Sequence, residues 1–114
     1  MDNIQFETSL VKLKNQLIKY HPSDIASFFE THESMRTKIY EALGVKLFKN
    51  VFILLDDHVQ VQFFDTLNKT QQASLLKFLD TEDIKDFLDT LKMSQQILVI
   101  SLLPEKTKNE ITQL

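Results

Sequence analysis

Apolar residues recur along this chain every twelve positions. Leu43, Leu55, Leu67, Leu79, Leu91 and Leu103 form one row. Phe28, Tyr40, Phe52, Phe64, Leu76, Leu88 and Ile100 form a second, and Ile39, Val51, Phe63, Leu75, Phe87 and Val99 a third. With 17 Leu among 114 residues, six in register by chance is on the order of 10⁻⁵. Twelve residues at about 3.6 per turn make three turns and about 120° of surplus rotation. In one continuous helix the rows would therefore wander around the axis. Within one short helix, positions i−1, i and i+3 share a face. The period predicts separate helices of about nine residues, joined by turns of about three.

The residues that follow the leucine row fit such turns: Gly44, Asp56, Asn68, Asp80, Lys92 and Pro104. Four of these six are helix stoppers or turn starters. Thr70, Thr81 and Ser94 stand where N-caps of the next helices are expected, and Ser23, after His21-Pro22, caps the first. Ahead of them, residues 3–20 read as one longer amphipathic helix, with Leu10, Leu13, Leu17 and Tyr20 at helical spacing. Residues 21–104 read as the repeat array, and 105–114 as a last helix entered through Pro104. No linker divides residues 1–114, which are expected to form a single domain. Helices this short do not persist alone in water. The expected fold is all-α: a right-handed superhelix, or α-solenoid, in which each helix buries its rows against its neighbours. Residues 47–55, apolar nearly all round, are expected to be its most enclosed helix.

Composition narrows the chemistry. Cys is absent and Gly44 is the only glycine. That excludes disulfides, thiolate metal sites, glycine-rich phosphate cradles and the glycine-flanked nucleophile elbow. The net charge is −3, which is not the basic footprint of a nucleic-acid binder. The charge is uneven. Residues 56–91 hold 3 bases and 8 acids, whereas 1–55 hold 7 and 6. The acidic third should attract cations or a basic partner. No segment has the ~18 consecutive apolar residues of a membrane span. The N-terminus lacks the basic start and apolar core of a signal peptide. A soluble, cytoplasmic protein is expected.

The three histidines, His21, His32 and His58, are scattered, and no pair falls at i, i+4 for a helical zinc site. An Asp57–His58 dyad has no partner nucleophile in a distinctive setting. The expectation is a protein that is not an enzyme. The acidic stretch 79–91 is richer, with five acids and one lysine. With Ile84, Phe87, Leu88 and Leu91 facing inward, Glu82, Asp83 and Asp86 can share the outer face. Such an all-oxygen set suits Mg²⁺ or Ca²⁺. The same acids, together with Asp80 and Thr81, would equally serve to cap the helix and oppose its dipole. Spacing leaves both readings open.

His21-Pro22-Ser23-Asp24-Ile25-Ala26 resembles the His-Pro-Ala-Asp-(Ile/Leu)-Ala opening of the N-terminal cytosolic domain of MgtE-type magnesium transporters. Residues 79–88 are similar to that domain's Met-Asp-Pro-Asp-Asp-x-Ala-Asp-Leu-Leu stretch, and Leu102-Leu103-Pro104-Glu105 resembles its Leu-Pro-Glu turn. Thr81 replaces the usual proline, and Lys85 sets a positive charge inside the acidic motif. The resemblance covers about residues 8–114. It implies a short-helix superhelix that precedes paired CBS domains and a transmembrane pore in a homodimer. It also implies regulatory Mg²⁺ between acidic cytosolic surfaces, holding the pore closed. The matched acids, Glu82, Asp83 and Asp86, are the implied ligands. A related helical-repeat fold, that of the flagellar rotor switch protein, makes a protein-binding scaffold the alternative.

Overall fold

The computed structural model describes Met1 and residues 3–112. Among these residues there are eight α-helices and no strand. The chain divides into two compact units, Met1–Asp56 and Asp57–Leu114.

The first unit contains α1 (Leu10–Leu17), α2 (Pro22–Thr31), one turn of 3-10 helix (Glu33–Met35) and α3 (Arg36–Phe52). The helix expected over 3–20 is therefore eight residues long. Ser9 starts it by accepting the Lys12 amide at 3.2 Å. Before it, backbone groups are bound to side chains instead of to a helix ladder. The Gln5 amide donates to Gln16 Oε1 at 2.9 Å, and Lys38 Nζ donates to the Phe6 carbonyl at 2.8 Å. Leu13 and Leu17 are fully buried, whereas Leu10 stays exposed.

Gly44 interrupts α3 at φ 75°, ψ 159°, a region that is essentially glycine's alone. The helix resumes at residue 45, so the only glycine keeps the twelve-residue register. α1 and α2 pack on α3. Phe48 is the hub, with its ring 5.5 Å from Phe29 and edge-on to Tyr40 at 5.2 Å. Arg36 is buried, and its Nε and Nη2 donate to the carbonyls of Phe29 and Glu30 at the end of α2. Residues 47–55 are not the enclosed helix that their composition predicts. Phe48, Val51, Phe52 and Leu55 are buried, but Leu47, Ile53 and Leu54 remain exposed. Composition makes a segment apolar, and only neighbours can cover it.

The second unit contains α4 (Asp57–Thr66), α5 (Lys69–Phe78), α6 (Thr81–Asp89), α7 (Met93–Ser101) and α8 (Glu105–Thr112). Their first residues are twelve apart. The third apolar row, Ile39 to Val99, is buried at all six positions. The leucine row is buried except at Leu91, which is half-buried. Phe64 of α4 meets Phe87 of α6 with ring centres 5.0 Å apart. The predicted last helix ends within the described residues at Thr112, and Gln113 and Leu114 lie outside them.

The caps fall one or two residues earlier than expected. Asn68 accepts the Gln71 amide at 2.8 Å, while Gln71 Oε1 accepts the Asn68 amide at 3.0 Å, a reciprocal capping box. Asp80 plays the cap of α6. Thr70, Thr81 and Ser94 lie inside the helices, because the residue right after each leucine already holds the extended cap conformation. At the head of α2 the cap is His21 rather than Ser23. Its Nδ1 accepts the Ser23 amide at 3.1 Å, and Pro22 fills the first helical position.

A fourth row, of glutamines, accompanies the apolar ones. Gln72 Nε2 donates to the carbonyl of Phe64, and Gln96 Nε2 to that of Leu88, both at 2.9 Å and both eight residues back. Gln60 occupies the same register and is buried. In α6 the position belongs to Ile84, which is fully buried.

Candidate functional site

The acidic helix is α6. Its apolar face, Ile84, Phe87 and Leu88, is buried, so helical geometry turns the charged positions outward. Glu82, Asp86 and Asp89 are exposed, and Asp83 is half-buried. Asp80 precedes them in extended conformation and accepts the Asp83 amide on Oδ1 at 2.8 Å. Acids in the first turn also oppose the positive end of the helix dipole. Thr81 Oγ1 donates to Glu110 Oε2 at 2.7 Å, tying the start of α6 to α8.

The three predicted ligands do not share one environment. Glu82 pairs with Lys85 one turn on, N–O 3.6 Å, as an exposed contact worth only a few tenths of a kcal/mol. Asp83 is held above the ordinary aspartate range. Burial is the main cause, followed by the charge of Asp80 and a side-chain hydrogen bond with it. The Asp80 backbone partly opposes the shift, and Asp86 adds to it. Asp83 is thus drawn together with Asp80 and Asp86, and Glu82 is engaged by Lys85. Sequence reasoning placed Asp80 among the caps but missed its electrostatic grip on Asp83. The spacing Asp80-x-x-Asp83 carries that signal, because a cap side chain reaches the residue three places on.

Among the described residues, no group of three or more His, Asp or Glu side chains converges closely enough to hold a metal ion. What α6 presents is a strip of carboxylates, an all-oxygen donor set of the kind hard divalent cations take. The histidines stand apart from it. His21 caps α2, His32 stacks on Phe28 with ring centres 3.7 Å apart, and His58 is exposed at the start of α4. No helix among the described residues is long and apolar enough to cross a membrane.

Residues 20–114 match the family model described as the MgtE intracellular N domain, and the chain belongs to that family. It is a family of transporter regulatory domains rather than of enzymes. The match begins at Tyr20, just before the His21 cap, and takes in the whole acidic helix. No curated protein and no solved structure matches the chain.

Proposed function

We propose that this chain is the cytosolic, magnesium-sensing domain of a magnesium transporter, and that Glu82, Asp83 and Asp86 form half of a Mg²⁺ site. The other half belongs to an acidic surface of a neighbouring cytosolic domain, with CBS domains, a transmembrane pore and a homodimeric parent as the assembly. The five helices of the second unit, starting every twelve residues, support reading that unit as a repeat of short helices. Membership of the MgtE family supports the transporter.

The observation that supports the metal reading is the outward strip of carboxylates on α6, where the charges of Asp80 and Asp86 add to the burial that raises the Asp83 carboxyl. Like charges held close cost energy, and a divalent cation relieves that cost. One strip alone supplies few ligands. Mg²⁺ keeps most of its water and needs only one or two carboxylates from each side. The isolated chain therefore binds Mg²⁺ weakly, and the complete cytosolic assembly binds it more tightly. Occupancy then favours the closed arrangement of domains by linkage.

Limited proteolysis of the complete cytosolic assembly across a Mg²⁺ titration tests this. Protection should appear with rising Mg²⁺, and Glu82→Gln/Asp86→Asn should shift it to higher concentration. Identical curves for wild type and variant would reduce these acids to caps.

A further inference from the structure

The side of α1 opposite its buried leucines mixes apolar and basic residues, and the reading above makes no use of it. Leu13 and Leu17 are fully buried, and α1 packs on α3. On the outward side Val11 is 70% exposed and Ile18 55%, with Leu10 exposed beside them. Ile18 is the C-cap but keeps helical backbone angles, and its amide still donates to the Lys14 carbonyl at 3.0 Å. Seven residues make nearly two turns, so Val11 and Ile18 fall within about 20° of one line along the helix. They form an apolar ridge on the convex side of α1.

Charges on the same helix select what meets that ridge. Lys12 and Lys14 are exposed positions of α1, and Lys19, directly after Ile18, is exposed as well. By helical rotation Lys14 stands about 60° to one side of Val11 and Lys12 about 100° to the other. The ridge thus runs between lysines of its own helix. Residues 8–23 contain three lysines and no acid, in a chain whose net charge is −3. Among the described residues none of these lysines forms an ion pair. A helix of this kind suits the boundary of an anionic bilayer, where aliphatic side chains enter the acyl region and lysines reach back to the headgroups.

We infer that α1 docks the first unit on an anionic lipid surface, with Val11 and Ile18 inserted and Lys12, Lys14 and Lys19 against the headgroups. A second copy of this chain meets only half of that chemistry. Its α6 offers carboxylates but buries its own apolar face, and its α7 offers Met93, Ile97 and Leu98 without an acid. A lipid boundary meets both halves at once and receives a convex ridge, for which a partner protein would need a groove. The anchor is weak, since each lysine near an anionic surface strengthens binding about fivefold. The inference rests on the transporter reading only here, because a domain tethered beside a membrane needs little affinity of its own.

The test sediments the full chain, without Mg²⁺, with phosphatidylcholine vesicles containing about 30% phosphatidylserine, at up to about 5 mM lipid. Vesicles of phosphatidylcholine alone are the control. Co-sedimentation should rise with anionic lipid, fall as NaCl is raised, and be at least tenfold weaker on the control vesicles. Lys12→Glu/Lys14→Glu should weaken it tenfold or more, whereas Lys12→Arg/Lys14→Arg should preserve it. Val11→Ser/Ile18→Ser should also weaken it tenfold or more, and Met93→Ser/Ile97→Ser should leave it unchanged. Glu82→Gln/Asp86→Asn should bind at least as well as wild type, so that failure of the magnesium reading is separable from failure here. These substitutions fall at exposed positions, and circular dichroism should show each variant folded. Absence of binding, equal binding to both vesicles, or binding indifferent to either α1 pair would overturn the inference. So would a designed amphipathic Leu/Glu peptide that binds α1 more tightly than the anionic vesicles do, which would make the partner a protein.

Discussion

The amide of Asp83 donates to the carboxylate of Asp80 at 2.8 Å, while burial and, after it, the negative charge of that same carboxylate push the Asp83 carboxyl toward its protonated form. One residue thus starts the helix and loads its first turn with repulsion. The two effects act on different atoms of Asp83, so substitution separates them.

The pH dependence follows from the direction of the Asp83 shift. A carboxyl raised in the folded chain holds its proton more tightly there than in the unfolded chain, so the native state binds more protons. Stability then falls as pH rises from the ordinary aspartate value through the raised one. Asp83→Asn keeps the backbone amide and removes the charge. It should be more stable than wild type at about pH 7, with the gap closing toward about pH 3. Urea midpoints at the two pH values measure it. A gap that widens in acid would contradict the assignment.

Gly44 offers a cleaner backbone test. An added Cβ would meet nothing within 4 Å, but φ is +75°. The whole effect of Gly44→Ala is therefore conformational, and it should cost about 1–3 kcal/mol. An unchanged thermal midpoint would show that the break in α3 relaxes freely.

His21→Ala removes the side chain that accepts the Ser23 amide. The expected loss is about 0.5–2 kcal/mol, with His21→Asn recovering most of it, because Asn is among the preferred caps. Chemical denaturation of the three proteins side by side distinguishes a capping role from a packing one.

The rows should differ in energetic weight. Leu75 is fully buried and Leu91 half-buried. Leu75→Ala should cost about 2–5 kcal/mol, and Leu91→Ala clearly less. Equal losses would mean that burial does not rank these positions.

Much of this was legible from the chain alone. The positions of Leu75, Phe87 and Ile84 showed which face goes inside, and hence that Glu82 and Asp86 point out. Gly44 announced its break by being the only glycine, in register with the turns. The ends of helices were harder. Whether Ser9 begins α1 depends on Gln5 finding Gln16, a contact that no local pattern encodes. The exposure of Leu47 and Leu54 likewise depends on what lies opposite them. Gln60, Gln72 and Gln96 were visible at the right spacing, but polar side chains read as surface until their carbonyl partners are seen. Glu82 looked equivalent to Asp83 until Lys85 was seen to engage it.

The glutamine row also limits how such a chain can change in length. Gln72 and Gln96 each reach a carbonyl eight residues behind them, across the turn. One residue inserted within a helix would rotate every position beyond it by about 100°. Both the polar tie and the apolar rows would then fall out of phase together. A whole block of twelve would instead restore every partner. The natural currency of insertion and deletion in this chain is therefore the complete helix with its turn, and the single residue is the error it tolerates least.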